Sequence, residues 1–351
     1  MAEKLTAQQR ANLFAMSTRQ NRQMLAKQHV STANTSMEFT LPKARLLANI
    51  YATVTAKVKV KHATEKTLPI SKLEPYGIIR RWQLDLNNGF APFSISGVGL
   101  ALLNMIQPNA NVCLENSAYY DVADELTASA EGTENTIKFT VQLPTTLNQR
   151  DPVGLILLQN EQTITSLRVD VGSAVDMFAA LPSGYTVDIV DVEVKPMVET
   201  FSIPANASAM PDMSVLKLCN DRVDAITAAG QQIVKLSTGT IYRKLVLYIT
   251  DAEGRPATDD FVTSNIELVF NQADINYSID PAMIRAVNAA DLGVALPAGV
   301  YIFDFSNNGF PNYGGTRDYI DSSNLTEFWV RFNANAQGKV KVISECISRL
   351  A

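Results

Sequence analysis

Any chemistry in this chain would have to come from carboxylates. Asp188, Asp191 and Glu193 crowd one stretch, and β-sandwich glycosidases use two carboxyl groups about 5–10 Å apart. Strand alternation would put Asp188 and Asp191 on opposite faces, so they do not converge. Asp121, Asp124 and Glu125 fall on a predicted helix, Ser117–Ala130, as its solvated side. Asp251, Glu253, Asp259 and Asp260 flank a turn whose composition would suit a weak cation site at most. The two histidines, His29 and His62, leave little acid–base chemistry near neutral pH, and both read as solvated. Cys113, Cys219 and Cys346 are odd in number and far apart, which gives neither a disulfide framework nor a metal cluster. They read as buried, inert thiols. There is no Gly-x4-Gly-Lys-Ser/Thr loop and no Gly-x-Ser-x-Gly elbow. Gly97-Val98-Gly99 lacks the third glycine of a dinucleotide fingerprint and reads as tight packing. Trp82 and Trp329 lie within strands, as packing residues rather than sugar platforms. No residue set nominates a catalytic, metal or cofactor site.

The elements around these residues are more informative. The chain has 351 residues, 46% hydrophobic and 19% charged, enough for two core-forming domains and too apolar for wholesale disorder. Thirty Lys and Arg stand against 35 Asp and Glu, a net charge of −5 that argues against a dedicated nucleic-acid binder. Met1–Ser31 lacks the apolar run of a signal peptide, and Gly97–Ile106 is too short to span a bilayer. The expectation is a soluble chain made in the cytoplasm with reduced thiols.

The first thirty residues carry Lys4, Arg10, Arg19, Arg22 and Lys27 against Glu3, a net of +4, which leaves −9 for the rest. Residues 4–28 contain no Gly or Pro and predict a helix, with Leu5, Leu13, Phe14, Met16, Met24 and Leu25 on one side. A basic helix with an apolar stripe suits an anionic membrane surface or a partner, or docking on its own subunit. Lys4, Arg10, Leu13, Phe14, Arg19, Arg22 and Lys27 are its candidate membrane-facing residues. His29–Ser36 reads as a flexible polar linker, so residues 1–36 form an arm.

From Ile50 the period becomes two: Ala52, Val54, Ala56, Val58 and Val60 face one way and Lys57, Lys59 and Lys61 the other. Similar strands are predicted at 78–86, 136–143, 153–158, 163–171, 185–194, 232–236, 240–250, 265–270, 300–305, 328–333 and 339–347. Turns such as Asn87-Asn88-Gly89 and Asn307-Asn308-Gly309 separate them. Helices are expected only at Ser117–Ala130, Val215–Ala229 and Pro281–Ala290, so the body is an all-β sandwich. Met37–Pro42 resembles Glu199–Pro204 at an offset of 162, and Gly77, Ile79, Arg81 and Leu84 meet Gly239, Ile241, Arg243 and Val246 at the same offset. Val187, Ile189 and Asp191 align with Val340, Val342 and Ser344 at 153. A duplicated sandwich follows, with halves at 37–197 and 198–351.

Val300-Tyr301-Ile302-Phe303-Asp304-Phe305, Arg317-Asp318-Tyr319-Ile320-Asp321-Ser322 and Glu327-Phe328-Trp329-Val330-Arg331-Phe332-Asn333 carry a family likeness. With the basic arm and the two similar halves, the chain resembles the double jelly-roll major capsid proteins of tailless, membrane-containing icosahedral bacteriophages, the tectiviruses in particular. The resemblance implies tandem jelly rolls with an N-terminal amphipathic helix and a few short helices. It further implies a homotrimer forming a pseudo-hexagonal capsomer, packed beside other capsomers and minor capsid or penton proteins in a virion shell. The N-terminal helix would face the viral inner membrane. No enzyme activity, cofactor or specific nucleic acid is implied, and the chain would be made in the host cytoplasm. Other readings of the same residues are a spike or penton protein, a carbohydrate-binding adhesin, and a carboxylate-only glycosidase.

Overall fold

The computed structural model describes residues 6–86, 89–106, 110–147, 152–159, 164–306 and 319–349. Asn87-Asn88, Asn307-Asn308-Gly309, Arg317-Asp318 and Lys4, used above, lie outside the described residues. The long strands form two sets. In the first, β1 is Gln20–Met24, β2 Thr35–Thr40, β3 Leu46–Lys61, β4 Ile79–Leu86, β5 Phe90–Ile95, β6 Thr133–Pro144, β7 Thr165–Val171 and β8 Thr186–Phe201. In the second, β9 is Val215–Ile226, β10 Gly230–Leu236, β11 Ile241–Asp251, β12 Ile266–Phe270, β13 Asp274–Ile279, β14 Val300–Asp304, β15 Phe328–Ala334 and β16 Gly338–Arg349. Alternation works as the sequence implied: Ala52, Val54, Ala56, Val58 and Val60 are fully buried, and Lys57 and Lys61 are exposed.

The first set forms sheets β1-β8-β3-β6 and β2-β7-β4-β5; the second forms β9-β16-β11-β14 and β10-β15-β12-β13. Adding eight to each label of the first converts it into the second. Each set is a two-sheet jelly roll, and the chain is a double jelly roll.

The repeat runs deeper than strand order. On the first hairpin Trp82 pairs with Ile95 and Leu84 with Phe93; on the second Ile266 pairs with Ile279 and Leu268 with Tyr277. A register shift follows at the same place in both, before Leu86 meets Phe90 and Phe270 meets Asp274. Helices α2 (Gly97–Asn104) and α4 (Pro281–Leu292), with the short α3 (Ala110–Leu114) between them in the chain, follow; α2 and α4 start behind the caps Ser96 and Asp280. Every equivalence is an offset of 184 (266 − 82). A second shared device is a bulge on the long central pair, between Glu199 and Thr200 in one domain and opposite Glu345 and Cys346 in the other.

These equivalences correct the sequence alignment of the halves. The offset of 162 matched Ile79, Arg81 and Leu84 on β4 with β11, whose counterpart is β3. Alternation is common to every strand, so a matched pattern does not identify which strand it is. The offset of 153 joined the right strands, β8 and β16, but the bulges align at 146 (345 − 199), seven residues away.

Three predicted helices also need correction. Ser117–Ala130 contains strands at Tyr120–Asp121 and Glu125–Ala128, because Tyr120, Leu126 and Ala128 are drawn into the core. Val215–Ala229 is largely β9, paired with β16 along its whole length, so the ladder overrides local helix propensity. In the N-terminal segment α1 spans only Ala7–Ser17, opened by a capping box between Thr6 and Gln9. The chain then becomes β1, and Gln28–Val30 adds a further strand on β8. β8 is 16 residues long, and its outer edge draws the supposed helix end and linker into pairing. The predicted helix at Pro281–Ala290 is α4, capped by Asp280, begun by Pro281 and ended by left-handed Gly293 at φ 69°.

Candidate assembly interface

The two jelly rolls meet along one seam. β5 runs parallel to β9, with Phe93 opposite Cys219 and Ser94 opposite Asn220, and this fuses a sheet of each domain into one. On the face of β9-β16-β11-β14 turned away from its own core, Leu216, Cys219, Val246, Val300, Ile302 and Ile343 share a buried cluster with α2. α2 is apolar on all sides, as a helix enclosed between two domains must be. Gly97 lets α2 begin tight against its own domain, since a Cβ there would lie 2.0 Å from the Tyr76 carbonyl oxygen, and Gly99 admits the second domain, since a Cβ there would lie 3.0 Å from Asp221 Oδ2.

Charged groups are buried in the same seam. The Ser96 amide donates to Asp221 Oδ1 at 3.1 Å and its hydroxyl donates to Asp221 Oδ2. Lys341 Nζ donates to Ser96 Oγ at 2.9 Å and lies 3.7 Å from Asp221. Burial pushes the Lys341 ammonium down, with Asp221 opposing it. Nearby, Glu345 is surrounded by Lys244 at 3.3 Å, Lys217 at 3.6 Å and Arg243 at 3.7 Å. Arg243 also donates to the Leu147 carbonyl of the first domain at 2.8 Å. Burial alone would raise the Glu345 pKa; the three cations overcome it and hold the carboxyl at about 2. Burial lowers Lys217. None of these residues was a sequence candidate, because interior charges on alternating strands look like surface charges.

Helices α2 and α4 grip their own domains in the same way. Asn104 Nδ2 donates to the Gln142 carbonyl at 2.8 Å and Asn104 Oδ1 accepts from the Gln142 amide at 2.8 Å. Asn288 makes the same pair of bonds to Ile302, at 3.0 and 2.9 Å. The other side of the helix differs. Gly99, Leu102 and Leu103 of α2 are buried at the seam. Their equivalents on α4, Met283, Ala286 and Val287, face solvent, with Met283 58% and Val287 49% exposed. Asn104 with Asn288, and Ser94-Ile95 with Ser278-Ile279, are identical at the offset of 184, which is the signal that sequence reading missed.

The candidate arm residues separate into two groups. Arg10, Leu13 and Arg19 are exposed. Phe14 is buried, edge-on to Phe201 with ring centroids 5.5 Å apart, beside Leu46, Ala48 and Leu155. Arg22 pairs with Glu199 and Lys27 with Glu193, each at 2.7 Å. These three side chains hold the arm to its own domain rather than to an outside surface.

The carboxylates of the sequence search are mostly engaged. A bulge at Val190 returns Asp191 to the face of Asp188, where the two stand opposite Lys57 and Lys59, contrary to simple alternation. His29 lies 3.1 Å from both Asp191 and Glu193. Arg255 meets Asp251 and Glu253, and Arg285 meets Asp259. Among the described residues, no group of His, Cys, Asp and Glu is placed to hold a metal ion, and no helix is long and apolar enough to cross a membrane. Trp82 is fully buried, and the three cysteines are buried free thiols.

No family model and no curated protein matches the chain. Solved structures do. The STIV MCP, from the Sulfolobus Turreted Icosahedral Virus, aligns over 94% of this chain and 97% of its own at TM-score 0.68 and 16% identity. VP54 of PBCV-1 aligns over 95% of both chains at TM-score 0.65 and 9% identity. The major capsid protein P2 from Bacteriophage PM2 covers 95% of this chain and 98% of its own at 0.55 and 10%. The fold is that of the double jelly-roll viral capsid proteins. These likenesses span both jelly rolls, covering 94–95% of the chain.

Proposed function

We propose that the chain is the major capsid protein of an icosahedral virus, a structural protein without catalytic function, made in the host cytoplasm. Three copies form a pseudo-hexagonal capsomer that tiles a shell over an internal membrane, beside minor capsid and penton proteins. The observation that carries this reading is the duplicated jelly roll, matched end to end by viral capsid proteins. Three copies of a two-domain chain offer six similar units, which is what a six-cornered tile requires. Membrane contact falls to α1, whose exposed Arg10, Leu13 and Met16 remain available after Phe14, Arg22 and Lys27 are engaged. Basic residues near an anionic surface contribute about 1 kcal/mol each.

The test is mass in solution by light scattering. The chain is 38.4 kDa, so a trimer would have a mass of about 115 kDa, three times that value. A species of this mass that persists on dilution supports the capsomer, and a stable monomer refutes it. Unchanged binding to anionic liposomes after removal of residues 1–18 would refute the membrane role alone.

A further inference from the structure

Inside one chain the first domain docks on the second by two parts: β5 lies along the β9 edge, and α2 lies on the outer face of β9-β16-β11-β14. The equivalent docking parts of the second domain are β13 and α4. The equivalent receiving parts of the first are the β1 edge and the outer face of β1-β8-β3-β6. Among the described residues, β13 pairs only with β12 and β1 only with β8, so each keeps a free edge. We propose that these two surfaces are each other's partner. β13 and α4 of one copy dock on β1 and the outer sheet face of the next copy, repeating the internal seam between subunits. The proposal rests on the trimeric reading and specifies the surfaces that make it.

The repeat fixes the register. The asparagine grips make Gln142 equivalent to Ile302. Across the sheets, Gln142-Tyr51-Met197-Met24 then corresponds to Ile302-Val246-Ile343-Asp221. At the internal seam α2 approaches Asp221 so closely that a Cβ on Gly99 would lie 3.0 Å from Asp221 Oδ2. The counterpart across copies is Met283 on Met24, two exposed methionines, 58% and 47% accessible. Such flexible thioethers fill an imperfect gap well.

Charge agrees with this pairing. Ser96, which receives Lys341, corresponds to Asp280, and Lys341 corresponds to Lys195, two residues before Met197. Asp280 and Lys195 are both exposed and of opposite charge, so the internal Lys–Ser contact becomes an ion pair between copies. The strand pairing transfers likewise: Ser94 opposite Asn220 becomes Ser278 opposite Gln23. Because unlike surfaces meet head to tail, the contact is heterologous and must close into a ring to be finite.

A cysteine pair tests the geometry. Neighbouring strands lie about 4.8 Å apart, within the roughly 4.4–6.8 Å that a disulfide spans between Cα atoms. Gln23→Cys with Ser278→Cys should, on mild oxidation, give a covalent three-chain species on a non-reducing gel, and neither single variant should. Met283→Asp with Val287→Asp should shift the mass from about 115 kDa to the 38.4 kDa of one chain, with unchanged far-UV circular dichroism. If the wild-type chain is a trimer but no cross-link forms, this seam is refuted and the trimer stands. A monomeric wild-type chain overturns both.

Discussion

Glu345→Gln isolates what the buried charges at the seam contribute. The carboxylate faces Lys244, Lys217 and Arg243 at 3.3–3.7 Å, and its side chain is 3% exposed. Breaking a buried ion group by removing one partner costs about 3–5 kcal/mol. The acid equilibrium gives a similar size. Folding holds this carboxyl at about 2 against a reference of 4.5, a difference on the order of 3–4 kcal/mol at about 1.4 kcal/mol per decade. Glu199 is an internal control, since it occupies the same bulge in the other domain and meets Arg22, whose side chain is 56% exposed. Glu199→Gln should cost about 0.2–1 kcal/mol. The assay is urea unfolding at pH 7 and fixed protein concentration. A carboxyl with a depressed folded pKa stabilises above its unfolded value and loses that contribution as pH falls towards the folded one. The deficit of Glu345→Gln should therefore shrink between about pH 4.5 and 2. Equal midpoints for the two variants, or a deficit unchanged across that window, would refute the reasoning.

Removing residues 1–18 should leave a folded chain, whereas removing 1–30 also deletes β1 and Gln28–Val30, bares the β8 edge and should cause aggregation on size-exclusion chromatography. Phe14→Ala should release α1, read as faster hydrogen exchange over residues 7–17 with exchange in β3 unchanged. Asn288→Ala leaves the Ile302 amide and carbonyl without their side-chain partners and should cost about 2–3 kcal/mol in thermal or urea unfolding. Burial raises all three thiols, Cys113 and Cys346 to about 12 and Cys219 upward, so an aromatic disulfide reagent at pH 8 should titrate them only after unfolding.

Much of the fold was legible because two-residue alternation is a local property. The lysine-faced strand at 50–61, the closing strands and the helix at Pro281 emerge directly from side-chain spacing. What was not legible depends on partners far along the chain. β9 looks helical until β16 is beside it, and the arm looks detached until the β8 edge takes it up. In the hairpin and the helix after it the repeat lay at 184, carried by a few residues such as Asn104 and Asn288, and in the closing strands at 146, while the stronger apparent match at 162 came from alternation that all strands share. The surfaces proposed for docking between copies were hidden for a related reason: Met24 and Met283 are unremarkable singly and gain meaning only when superposition of the domains sets them on equivalent positions.

The fused sheet has a mechanical consequence. A load that draws the two domains apart is resisted only as firmly as the weakest part of the join between them. The backbone connection between the domains is short, two residue pairs of parallel ladder at Phe93–Cys219 and Ser94–Asn220. Pulled apart, so brief a ladder would share tension among very few bonds. Resistance must therefore come from the apolar contact around α2 and from the Glu345 cluster, which yield only when a whole face is wetted at once. The two domains are thus held as plates riveted through their thickness rather than stitched along an edge.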